Sequence, residues 1–124
     1  MELYETLAAM GIPHEAQRRI GRWIVDAFLP ETGTIIEAQG DFYHCNPTVY
    51  PDGPYCATQV RNAARDERRF RDFAAAGYRV VLLWERDIRV VGVRHLIEEA
   101  GLVEFCRDSL QGHGGGGDIP NRGK

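Results

Sequence analysis

The sequence contains no apolar run that approaches a membrane span. Its longest, such as the one from Arg79 to Trp84, fall far short of the ~20 residues needed to cross a bilayer. Met1 is followed by acidic residues and not by the basic start of a secretory leader, so a cytoplasmic, unprocessed protein is expected. Paired cysteines are also lacking. Cys45, Cys56 and Cys106 form an odd set without C-x-x-C spacing, which argues against a disulfide framework and a zinc ribbon and favours reduced thiols. Lysine is nearly missing: fourteen of the fifteen basic side chains are arginine, and Lys124 is the exception. Arginine presents a planar fork that grips phosphate oxygens bidentately. The formal net charge of −3 is unlike that of the usual basic nucleic-acid-binding domain. Any phosphate-binding surface must therefore come from local clustering, and an acidic metal-holding pocket beside an arginine-rich surface is consistent with this balance.

A chain of 124 residues with ordinary apolar and charged fractions allows one domain around one modest core. Leu3, Leu7 and Met10 at helical spacing, stopped by Gly11, predict a short helix from Glu2 to Met10. Strands are expected over His14 to Ile20 and Arg22 to Leu29 around a Gly21 turn, and Pro30-Glu31-Thr32-Gly33 leads into a third over Thr34 to Gln39. Gly40 to Tyr55, rich in proline, glycine, asparagine and aromatics, reads as a long irregular loop, a feature that tends to be functional. Thr58 is the expected N-cap of a helix to about Ala76, closed by Gly77. Arg79 to Trp84 reads as a continuous buried strand, and Val93 to Ala100 as a last helix. Residues 1–111 would form the domain, and 112–124, with four consecutive glycines, a disordered tail. The order gives an α/β sandwich with a mixed central sheet.

Strand periodicity singles out a pair of acids. Alternation puts Ile24, Asp26 and Phe28 on one face of their strand, and Ile35, Glu37 and Gln39 on one face of the next. A four-residue turn would bring Asp26 close to Glu37. Two carboxylates converging at strand ends can hold Mg²⁺ through oxygen ligands, as phosphoryl-transfer chemistry requires. The competing reading is a solvated polar edge, against which stand the isoleucine, tryptophan and phenylalanine around both acids.

Val25-Asp26-Ala27-Phe28, then Ile35-Ile36-Glu37-Ala38-Gln39, resembles the PD-(D/E)xK nuclease motif, with Gln39 where that family usually has lysine. Gly40-Asp41-Phe42-Tyr43-His44, Arg65-Asp66-Glu67-Arg68-Arg69, Gly77-Tyr78-Arg79-Val80 and Trp84-Glu85 narrow the resemblance to the very-short-patch-repair endonucleases and the EDxHD homing endonucleases. The likeness extends to about Asp87. It implies a restriction-endonuclease-like α/β/α sandwich, and a metal-dependent endonuclease that hydrolyses phosphodiesters of duplex DNA in homing or mismatch repair. It further implies Mg²⁺ as cofactor, with Mn²⁺ able to substitute, held by Asp26, Glu37 and the Ala38 carbonyl. His44 would be the general base, and Asp66 the carboxylate that orients it, raising the basicity of a neutral imidazole and fixing its tautomer. The family's leading glutamate would fall just before Met1, with Glu2 its nearest candidate. The repair enzyme's zinc cysteines are replaced by Asp41 and Arg86, and Cys45, Cys56 and His113 lack ligand spacing, which argues against structural zinc.

Projected at ~100° per residue, the long helix groups Val60, Ala63, Ala64, Phe70 and Ala74 in one stripe, with Arg61, Arg65, Arg68 and Arg69 opposite as phosphate contacts. A solvated, ion-paired helix is the alternative for these arginines. Asp66 falls beside Phe73, turned towards the sheet. Phe42 and Tyr43 stand where the repair relatives place aromatics that wedge between base pairs, with core packing the rival for Phe42. A catalytically weakened DNA-binding module of the same fold is the alternative to the nuclease, motivated by Gln39 and the missing glutamate. Monomer and homodimer are both open.

Overall fold

The computed structural model describes residues 2–102. The expected Gly-rich tail, Cys106 and His113 lie outside these residues. The elements run α1 (Glu2–Ala9), β1 (Glu15–Ile20), β2 (Trp23–Leu29), β3 (Thr34–Gln39), α2 (Ala57–Ala75), β4 (Arg79–Trp84) and α3 (Glu85–Glu99). The sheet order is β1-β2-β3-β4, antiparallel from β1 to β3 and parallel between β3 and β4. This is the mixed α/β arrangement that the pattern of elements predicts.

The strands divide their apolar residues between two cores. Ala27, Leu29, Ile36 and Leu83 pack with Leu3 and Leu7 of α1 and Val93 and Ile97 of α3. Val25, Phe28 and Ile35 pack with Ile20 and with Phe73 of α2. The sheet is thus covered on both faces, an α/β/α sandwich. Among the described residues no helix is long and apolar enough to cross a membrane.

Three local expectations are corrected. The N-cap of α2 is Cys56, extended at φ −147° and making no side-chain cap bond, and not Thr58. Gln59 of the first turn folds back instead, its Oε1 accepting the N–H of Tyr55, the residue before the cap, at 2.8 Å, a variant of the reciprocal half of the capping box. Secondly, α3 starts directly after β4, eight residues before the expected Val93, and is broken at Gly92 (φ 86°, ψ 157°). Glycine alone adopts that angle without strain, and the exposed Val90 and Val91 ahead of it hide the helical pattern. Finally, Val60, Ala64 and Ala74 are exposed while Phe70 packs against the second cluster, so the Val60 stripe as a whole does not face the core. The buried residues of α2 are Gln59, Asp66, Arg69 and Phe73.

Candidate active site

Asp26 sits where the ladder on either side of β2 is interrupted. Towards β3 the pairing runs from Leu29↔Thr34 only to Ala27↔Ile36. Towards β1 the paired residues skip Gln17 and Asp26, and Gln17 holds a positive φ of 52°, a conformation costly for a side-chain-bearing residue. The freed backbone of Asp26 finds side-chain partners instead. Its N–H points to Glu37 Oε2 at 3.4 Å, and its carbonyl accepts from the Tyr4 hydroxyl at 2.6 Å. The Asp26 carboxylate fills the gap in the sheet, with Oδ2 accepting the Ala38 N–H at 2.8 Å. The interruption also breaks strict alternation: Val25 and Phe28 pack in one cluster while Ile24 is 52 % exposed. The expected common face of Ile24, Asp26 and Phe28 is therefore not kept, although Asp26 and Glu37 do meet.

Glu37 is buried and pairs with Arg69 Nη2 at 2.9 Å. Burial pushes its carboxyl above the ordinary glutamate value; the charge of Asp26 adds to the rise, and Arg69 and the Asp26 N–H oppose it. Arg69 Nη1 lies 3.4 Å from Asp66 Oδ1, and Asp66 Oδ2 lies 2.6 Å from His44 Nδ1. One chain of contacts thus runs from Asp26 through Glu37, Arg69 and Asp66 to His44. With Nδ1 facing Asp66, the imidazole keeps Nε2 for another partner. Gln39, two residues beyond Glu37 on β3, is 2 % exposed, and its Nε2 is buried without a hydrogen-bond partner. A buried donor left unpaired is costly, so an orphan of this kind points to an absent acceptor.

The loop after β3 is a built structure. Asp41 Oδ1 accepts from Asn46 Nδ2 at 2.9 Å and from the Arg86 N–H at 3.3 Å, tying the loop to the first turn of α3. Gln59 and Asn62 of α2 donate to the carbonyls of Phe42 and Tyr43. These anchors leave the rings outside, with Phe42 43 % and Tyr43 61 % exposed, so the core-packing reading of Phe42 does not hold.

Two expected site residues are placed otherwise. Glu2 is exposed and its side chain makes no hydrogen bond or ion pair among the described residues; Tyr4 of the same helix reaches Asp26 instead. Arg69 is 7 % exposed and joins the acids inside, not the exposed stripe. Arg61, Arg65 and Arg68 remain exposed and have no acidic partner within salt-bridge distance among the described residues. Sequence reasoning missed Tyr4, Gln17 and the inward role of Arg69. A signal existed for Arg69: on an ideal helix it lies about 60° from Asp66 and about 40° from Phe73.

The donors at the Asp26 end are hard oxygens. Among the described residues no group of three His, Cys, Asp or Glu side chains could hold a metal. Mg²⁺, however, binds through one or two carboxylates and completes its shell with water and substrate phosphate. Asp26 and Glu37, with the carbonyl of Ala38 next to Glu37 in sequence, fit that pattern, and the buried carboxyl of Glu37 shares its guanidinium partner with Asp66.

The chain matches no protein-family model and no curated protein. Among solved structures it is similar to the Homing Endonuclease I-Bth0305I Catalytic Domain, at 18 % identity and a TM-score of 0.51, over 86 % of this chain and 87 % of that one. The shared architecture is the restriction-endonuclease-like α/β sandwich with a mixed central sheet.

Proposed function

We propose that this protein is a divalent-metal-dependent endonuclease that hydrolyses phosphodiester bonds of duplex DNA, of the kind found in the EDxHD and very-short-patch-repair branch of the PD-(D/E)xK nucleases. The observation that carries the reading is the His44–Asp66 contact of 2.6 Å, joined through Arg69 to the Asp26 and Glu37 carboxylates. A base and a cation-binding pair in one connected group is what phosphate hydrolysis needs. That the similar solved structure is a homing-endonuclease catalytic domain agrees with it.

Asp26, Glu37 and the Ala38 carbonyl would hold Mg²⁺ or Mn²⁺, which when bound offsets phosphoryl charge and acidifies water. His44 Nε2 takes a proton from the attacking water as its oxygen bonds to phosphorus. The P–O bond to the leaving nucleoside breaks, and the departing oxygen is protonated from solvent. Asp66 fixes the imidazole tautomer by accepting Nδ1–H, as a carboxylate does in hydrolytic triads. Gln39 takes the position of the usual lysine as a neutral amide, without that residue's charge on the phosphate. Arg61, Arg65 and Arg68 hold flanking phosphates, and Phe42 and Tyr43 present rings to a distorted base step.

A supercoiled plasmid incubated with the full chain and Mg²⁺ or Mn²⁺ tests this. Wild type is expected to nick or cut it, while Asp26→Ala and His44→Ala lose cleavage by about 10³-fold and still bind DNA. The weakened-module reading draws support from the two-carboxylate donor set and Gln39. Equal plasmid integrity with wild type and both variants, with binding retained, would replace the nuclease by that module.

A further inference from the structure

Arg69 differs from every other arginine among the described residues in being buried. Its Nη2 lies 2.9 Å from Glu37 Oε1 and its Nη1 lies 3.4 Å from Asp66 Oδ1. Its Cζ sits 5.7, 5.7 and 5.5 Å from the ring centroids of Trp23, Phe70 and Phe73. Trp23 is itself held, its Nε1 donating to Asp72 at 2.7 Å. A buried guanidinium is tolerated only where acceptors and opposite charge meet it. A side chain meant for a phosphate at the surface has no need of an aromatic enclosure.

We infer that Arg69 is a positioning residue that locks the two halves of the proposed site into one geometry. One N–H arm holds Glu37, and with it the Asp26 end; the other holds Asp66, and with it His44. A fork of fixed shape holds the two carboxylates at a set separation and orientation. A lysine ammonium is a compact point charge with rotatable donors on a flexible stem and fixes neither carboxylate in orientation. Without the fork, Glu37 and Asp66 are no longer tied to one rigid group, and the imidazole is no longer fixed relative to the cation-binding pair. This inference rests on the nuclease reading for its catalytic consequence, while its structural part stands on the two contacts.

Full-length Arg69→Lys is the test, because it keeps the buried charge and removes the fork; Arg69→Met is the more severe companion. Three quantities are read. They are single-turnover cleavage with Mg²⁺, DNA affinity against salt in non-cleaving Ca²⁺, and, without DNA, Mn²⁺ affinity together with the ¹⁵N signature of the His44 ring. Arg69→Lys is expected to cleave about 10²-fold more slowly, the scale of an active-site misplacement near 1 Å. DNA affinity and its salt slope should stay unchanged, while Mn²⁺ affinity falls and the ring signature moves together. Cleavage at the wild-type rate overturns the inference. So does a loss accompanied by weaker, less salt-dependent DNA binding, which would make Arg69 a phosphate contact. Should wild type neither cleave DNA nor bind Mn²⁺, the nuclease reading falls separately. The His44 ring signature in Arg69→Lys then still decides, and an unchanged signature removes the link.

Discussion

The two faces of the sheet bury unlike material. Under α1 and α3 lie Leu3, Leu7, Ile12, Leu29, Ile36, Leu83, Val93 and Ile97 with their neighbours, an apolar cluster beside which Thr34, paired with Leu29, is the buried polar residue. Under α2, Phe73 and a smaller apolar cluster share the space with Glu37, Gln39, Gln59, Asp66 and Arg69. Apolar burial supplies stability in rough proportion to area and is indifferent to partner identity. Buried polar groups break even only when each finds its partner, and they fix geometry in return. The first face therefore carries the stability of the fold, and the second carries the proposed chemistry.

The largest effect that would test this division is on the first face. Ile97→Ala, at a position 0 % exposed, is expected to cost about 2–5 kcal/mol of stability, read by denaturant unfolding. Below its unfolding range the variant should cleave DNA at the wild-type rate. A folded Ile97→Ala protein without cleavage would break the comparison.

A smaller effect is expected on the outer flank of α2. Arg65→Ala should weaken DNA binding and lower the slope of log K against log salt by about 1, the share of one phosphate contact, without changing single-turnover cleavage of saturated substrate. An unchanged slope would show that this arginine faces solvent alone.

The smallest effect concerns Glu37 in metal-free protein. Its carboxyl is raised, first by burial, so the folded state binds a proton more readily than the unfolded chain. The sign follows from linkage: this contribution to stability is complete below the ordinary glutamate value of 4.5 and is lost as pH rises through the folded value. Glu37→Gln should flatten that decline in unfolding free energy above pH 4.5. An identical pH slope in the variant would mean that Arg69 compensates the buried charge fully, and the second face would then be less strained than the comparison holds.

The strands were legible because their signal is short-range. β3 and β4 follow the expected limits, Thr34–Gln39 and Arg79–Trp84, since short runs rich in β-branched and apolar residues between turn residues have few alternatives. The meeting of Asp26 with Glu37 followed from the turn length. Its means did not, because the interrupted ladder and the left-handed Gln17 depend on partners from α1 and β3 that no local pattern encodes. The long helix was legible as a helix but not in its orientation. Apolar periodicity assumes that the inward face is oily, whereas α2 presents Gln59, Asp66 and Arg69 to a polar site. The start of α3 was hidden for a related reason: Val90 and Val91 are exposed, and Gly92 resets the phase.

By itself the sequence determined the order of elements, the α/β class and the residue types available for chemistry, because helix and strand periods and turn residues act over a few neighbours. Tertiary structure alone decided that Arg69 belongs to the acids and not to the surface, that Tyr4 and not Glu2 reaches Asp26, and that Asp41 ties its loop to α3. Those outcomes depend on which buried charge finds its countercharge across the sheet, a pairing between distant segments that exists only once the chain has closed.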